Sequence, residues 1–139
     1  MVIDSNVVIA LLYPLPYSEM ATLHMNNLKA SEKDLYAPAL FEYEVCSAFR
    51  KIILHNGLEY KTASISMELI HNLGIQIISP ASSLHKAALR WAAKLQHSKA
   101  YDAQYLALAE QMRCPLLTAD KRLAKAAHAV GATWVECVA

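Results

Sequence analysis

Short apolar runs, too short for core helices, alternate along this chain with longer runs whose apolar residues recur at helical spacing. The short ones are Val2-Ile3, Leu35 to Ala37, Ile75 to Ile78, Pro115 to Thr118 and Thr133 to Cys137. Read as strands they are apolar on both faces, so both faces need covering, which is the condition of a parallel sheet between layers of helices. The expected fold is therefore α/β: a three-layer α/β/α domain with a short, mostly parallel central sheet. At 139 residues and 55% apolar, the chain can build one sizeable core, and a single domain over residues 1–139 is expected. Only 3 Gly and 5 Pro leave little material for hairpins and tight turns, which again favours helices.

The punctuation fits that alternation. Ser5 or Asn6 would cap a first helix running to Leu12, where Pro14 and Pro16 stop it. Helices are predicted over Ser18 to Leu28, then Ala39 to His55 closed by Asn56-Gly57, then Glu59 to Leu73 closed by Gly74. Ile75 to Ile78 reads as a buried strand. Ser82 or Ser83 would cap a helix running to Gln96, and further helices cover Tyr101 to Met112 and Lys121 to Val130.

Charge narrows the function classes. With 13 Lys+Arg against 12 Asp+Glu there is no strongly basic surface, which argues against a reader of duplex DNA. An enzyme that holds phosphate through a metal stays open, because the cation supplies positive charge locally. Charged residues are 18% of the chain, against about 25% in ordinary soluble domains, so part of the surface is expected to be covered by a partner. Leu12 to Tyr17, rich in aromatic and apolar groups, fits such a surface and fits a core-packing loop nearly as well. Cys46, Cys114 and Cys137 have no zinc-site spacing and read as core thiols in a reducing cytosol. No signal peptide or membrane span is visible, and a cytoplasmic protein is expected.

Acids in unusual places carry the chemistry. Asp4 sits inside an apolar run, where a carboxylate is costly to ionise without donors, a partner or a cation. In parallel α/β sheets the functional crevice lies beyond the carboxyl ends of the strands, and both Asp4 and Asp120 follow a strand. Asp120 also suits a helix N-cap. Asp102 lies in the first turn of a helix, favoured there by the dipole, and shares a face with Leu106 and Ala109. On the long helix Glu44 and Glu42 border opposite edges of the stripe Phe41, Val45, Ala48, Phe49 and Ile52, and periodicity does not choose between them.

Four segments together resemble the PIN domain family: Val2-Ile3-Asp4-Ser5-Asn6, Pro38 to Val45, Tyr101-Asp102-Ala103-Gln104-Tyr105-Leu106-Ala107-Leu108-Ala109, and Leu117-Thr118-Ala119-Asp120. The resemblance covers essentially the whole chain. It implies that the acid six positions after Pro38, Glu44, belongs to the acidic cluster, with Glu42 its neighbour. Asp4, Glu44, Asp102 and Asp120 are then the implied catalytic and metal-binding acids, and Asn6 and Thr118 the polar residues that accompany them. Ser5 stands where the family often has Thr, which keeps a hydroxyl.

Converging carboxylates cannot all ionise without compensating cations, and hard oxygen ligands select Mg²⁺ or Mn²⁺ over zinc. Such ions would activate a water, aim it at phosphorus and neutralise charge; two of them roughly 4 Å apart would clamp both oxygens. The implied reaction is hydrolysis of an RNA phosphodiester, with Lys99, Lys121 and Arg122 placed to hold phosphates. The small single-domain form resembles the toxin of VapBC-type toxin-antitoxin pairs, which implies a homodimer and a small antitoxin laid across the active-site groove. Two alternatives are a catalytically silent PIN-like binding scaffold and a haloacid-dehalogenase-like phosphatase in which Asp4 would attack phosphorus. The latter wants a second Asp at position 6, which is Asn6 here.

Overall fold

The structure, a computed structural model, describes residues 1–139. Five strands form one sheet: β1 (Val2–Ile3), β2 (Leu35–Pro38), β3 (Ile75–Ile78), β4 (Leu116–Thr118) and β5 (Val135–Cys137). The helices are α1 (Ser5–Leu12), α2 (Ser18–Ala30), α3 (Leu40–Asn56), α4 (Tyr60–Ile70), α5 (Ser82–Lys94), α6 (Tyr101–Met112) and α7 (Lys121–Ala129). A 3-10 turn over His71–Leu73 follows α4. The strand order is β3-β2-β1-β4-β5 and every pairing is parallel, so the expected mostly parallel sheet is wholly so.

Right-handed crossovers put α1 to α4 on one face and α5 to α7 on the other. The packing agrees: α1 lies against α2 and α3, α5 against α6, and α6 against β1, β2 and β4. β1 is therefore enclosed on both faces and both edges, with Val2 and Ile3 fully buried. Phe41, Val45 and Phe49 are buried along α3, as its apolar stripe requires. Trp91 meets Trp134 edge to face with ring centroids 5.7 Å apart, tying α5 to the segment before β5.

Four local expectations change. Ile75–Ile78 is an edge strand whose Gln76 and Ile77 are exposed, because β2 alone flanks it. The N-cap of α1 is Asp4, with Ser5 and Asn6 inside its first turn, and the N-cap of α5 is Ala81, which has no side chain to cap with. Cys46 is exposed and so is not a core thiol, whereas Cys114 and Cys137 are half-buried and pack against the core. Within Leu12 to Tyr17, residues Leu12, Tyr13, Leu15 and Tyr17 pack against the core and stay partly exposed, with Pro14 and Pro16 outermost. Gly57 and Gly74 do close their helices as expected, both left-handed at φ 67° and 72°.

The strand order reverses direction at β1. Chain from β1 to β3 builds outward on one side, and β4 then returns to the other side, opening a crevice at the carboxyl ends of β1 and β4. Register sets what faces it: Ile3 pairs with Leu117, so Asp4 comes level with Thr118, and its N–H donates to the Leu117 carbonyl at 2.9 Å.

Candidate active site

Asp4 takes the N-cap position of α1, yet its carboxylate makes no capping hydrogen bond. An Asp there normally accepts a first-turn N–H, worth about 1 kcal/mol. Instead Oδ2 accepts from the Thr118 hydroxyl at 2.7 Å and from Asn6 Nδ2 at 2.9 Å. Asn6 also donates to Thr118 Oγ1 at 3.2 Å and accepts the Ala119 N–H through Oδ1 at 2.8 Å. Thr118 Oγ1 accepts the Asp120 N–H at 3.0 Å. Asn6 and Thr118 thus lock one carboxylate into a fully bonded lattice that stitches β1 to β4.

Glu44 reaches the same crevice from α3. Its Oε1 accepts from the Tyr105 hydroxyl at 2.9 Å, and the Ser5 hydroxyl lies between its Oε2, at 3.4 Å, and Asp4 Oδ1, at 3.3 Å. One hydroxyl proton serves one acid at a time, so Ser5 is a bridge between the two carboxylates. Glu42 is exposed. The ambiguity on this helix is resolved by which acid the helix buries against α1 and α6.

Asp102 is half-buried in the first turn of α6, and Asp120 is the N-cap of α7, whose Oδ1 accepts the N–H groups of Arg122 at 2.8 Å and Leu123 at 3.1 Å. Both acids line a cleft of about 350 Å³ together with His97 and Arg122. A second cleft, of about 430 Å³, joins Asp102 to His97, Lys99 and Tyr101. Lys99 and Arg122, both exposed, share clefts with these acids; Lys121 lines neither.

Electrostatics tie the four acids into one group. Burial pushes Asp4 from an ordinary 3.8 up to about 6, and the charge of Asp102 adds to the push, against donors at Thr118, Asn6 and Ser5. Burial likewise raises Glu44 from 4.5 to about 7, opposed by the Tyr105 hydroxyl and reinforced by Asp4 and Asp102. Asp102 is raised by burial and by Asp120, with His97 and Arg122 offsetting part of the rise. Tyr105, almost fully buried, is held far above its ordinary range by burial and by Asp4 and Glu44, so it stays a proton donor to Glu44. Asp4, Glu44 and Asp102 have no cationic side chain within ion-pair distance; the one ion pair is Arg122 to Asp120 at 3.9 Å.

Acids that repel one another and lack cations suit a hard divalent ion in donor chemistry. No three Asp, Glu, His or Cys side chains are gathered closely enough to make a ready cage.

The sequence model of the PIN domain matches residues 1–129. The chain belongs to the PIN domain family. PIN domains are generally nucleases, and membership sets aside the phosphatase alternative. Comparison with curated protein sequences returns no match. Among solved structures, PAE2754 from Pyrobaculum aerophilum is 22% identical, with 99% of this chain and 82% of that one covered and a TM-score of 0.71. FitAcB from Neisseria gonorrhoeae is 20% identical over 99% of this chain and 96% of the other, TM-score 0.72. VapC20 from Mycobacterium tuberculosis, a toxin that cleaves the sarcin-ricin loop, is 14% identical over 90% and 93%, TM-score 0.62. At these identities the likeness is one of fold.

Three residues at the PIN site were not singled out from sequence. Tyr105 lies three residues after Asp102, and that helical spacing was a usable signal. Tyr17 is raised in pKa by burial and by Asp4, and His97 lines both clefts; neither has a sequence signal pointing to the acids.

The cap at Asp120 can be separated from any chemistry. Asp120→Ala is expected to lower stability by about 1 kcal/mol (range about 0.5–2), and Asp120→Asn, which can still cap, by much less. Urea denaturation of the metal-free protein measures both, and equal losses would mean that the cap contributes nothing.

Proposed function

We propose that this PIN domain is a Mg²⁺- or Mn²⁺-dependent endoribonuclease and the toxin of a VapBC-type pair. The observation that carries the proposal is the line Glu44, Asp4, Asp102, Asp120 at the reversal point of the sheet, with the first three raised in pKa and without a contacting cation. Asp4, Glu44 and Asp102 would hold the ion, directly or through water, with Asp120 contributing the carboxylate oxygen not used by its cap. Such an ion would lower the pKa of a bound water, orient it, and neutralise charge at the phosphate.

The chain's own residues do the positioning. Asn6 and Thr118 fix the Asp4 rotamer, and Ser5 and Tyr105 hold Glu44 beside it. Lys99 and Arg122 are placed in the clefts to take the flanking phosphates of a single strand. RNA as the substrate class is supported by the fold shared with VapC20, itself an RNA-loop-cleaving toxin.

A protein antitoxin and a second copy of the chain complete the proposal. Leu54, Tyr60, Ile65 and Leu69 on α3 and α4 are exposed apolar groups that such contacts would bury. No helix is long and apolar enough to cross a membrane, and three free thiols suit a reducing cytoplasm.

The test is cleavage of total and synthetic single-stranded RNA by protein purified free of any partner. Activity is expected in Mg²⁺ or Mn²⁺ and lost in EDTA. Asp102→Asn and Glu44→Gln are expected to lose it too, while Glu42→Gln retains it. Cleavage that persists in EDTA would overturn the metal-dependent reading. RNA binding without cleavage under any metal would make the chain a binding scaffold.

A further inference from the structure

We propose that the groove at the carboxyl ends of β2 and β3 is a nucleobase subsite, in which an unstacked base of the single-stranded substrate lies against Tyr43 and Tyr101. The proposal deepens the nuclease reading and rests on it. The groove has a volume of about 230 Å³ and a floor of Leu40, Ile78 and Leu84, between α3, α5 and α6. Tyr43 and Tyr101 both line it and are 76% and 60% exposed, an unusual concentration of uncovered ring surface at one opening.

The groove is not isolated. Tyr101 also lines the cleft that holds Lys99 and Asp102, and Asp102 and His97 line the next, which holds Asp120 and Arg122. The three are therefore neighbours in a row, with aromatic rings at one end, then a lysine, then Asp102, Asp120 and an arginine. That is the alternation a single strand requires: rings for bases, cations for phosphates, and a reaction centre between them. Tyr101 and Asp102 line the same cleft, so a base stacked on the first brings its own strand near the second.

A base suits the groove because its lining is mostly apolar, for the face of a ring, and one edge is polar. His85 Nδ1 and Gln104 Nε2 are 3.2 Å apart there, and both line the opening. The Gln104 carboxamide can bond the edge of a base, which an aliphatic side chain has no groups to match.

The test uses EDTA-treated full-length protein and a short single-stranded RNA carrying 2-aminopurine, alongside the same RNA with abasic riboses. Tyr43→Ala and Tyr101→Ala are each expected to weaken binding by about 5- to 150-fold, the range of one base-aromatic stack, and to reduce quenching of the 2-aminopurine. Tyr101→Phe, which retains the ring, should recover most of that loss. The abasic RNA should bind weakly and respond little to either alanine. In cleavage assays the loss should fall mainly on KM. Both rings are exposed, so melting temperatures should stay near wild type. Alanine variants that bind and quench like wild type would overturn the subsite while leaving the nuclease reading standing. So would variants that lose a protein partner but keep RNA. Wild-type protein that neither binds nor cuts RNA would overturn both.

Discussion

Asp4→Asn is expected to lower metal-dependent RNA cleavage by roughly 100- to 1000-fold, the scale of removing one preorganised electrostatic group from a reaction centre, while leaving the fold intact. Asn is isosteric, and its carbonyl oxygen can keep the hydrogen bonds that Oδ2 accepts from Thr118 and Asn6. Its amide faces Ser5, which can accept. Only the charge is lost, so an activity change can be assigned to the carboxylate and not to packing. Single-turnover cleavage measures it; a variant within threefold of wild type would remove Asp4 from the catalytic group.

The metal-free protein should lose stability as pH rises from about 4 to about 8, the reverse of the behaviour of a salt-bridged acid. Asp4 titrates near 3.8 when unfolded and about 6 when folded. Below 3.8 it is protonated in both states and costs nothing. Between the two values the native state holds a proton that the unfolded chain releases, and above about 6 the folded protein must bury an anion. The shift corresponds to about 3 kcal/mol for Asp4 at high pH, as an order of magnitude. Glu44, raised from 4.5 to about 7, acts in the same direction in a slightly higher window, weakened by its partial exposure. Thermal melts in EDTA across this range should show the decline, Asp4→Asn should flatten it, and Mg²⁺ or Mn²⁺ should restore stability at pH 8. A melting temperature that rises with pH in EDTA would contradict the burial of these acids.

Much of the fold was legible because it rests on local rules. Gly57 and Gly74 end helices where only a left-handed residue fits, and α3 was readable from the spacing of Phe41, Val45 and Phe49. What failed was non-local. Ile75–Ile78 is as apolar as a central strand, and only the order of the sheet leaves it at an edge. The first cap was missed because Asp4 holds the N-cap backbone while its side chain bonds across to β4.

Pattern and resemblance point to four acids, and the structure places them around the crevice, but periodicity alone leaves Glu42 and Glu44 equivalent. Burial against Ser5 and Tyr105 is what distinguishes them. Tyr105 stands in a run of apolar residues with only its spacing from Asp102 to mark it, and its hydroxyl's partner, Glu44, is fixed only by α3 lying opposite.

The sheet order also bears on how the protein is made. β1 is synthesised well before β4, one of its two neighbours, which begins at Leu116. Until that strand arrives, Val2 and Ile3 have an open edge, Asp4 lacks Thr118, and Asp120 does not yet exist outside the exit tunnel. A nascent chain thus carries no assembled acidic centre until both β4 and the start of α7 have emerged, more than a hundred residues after Asp4.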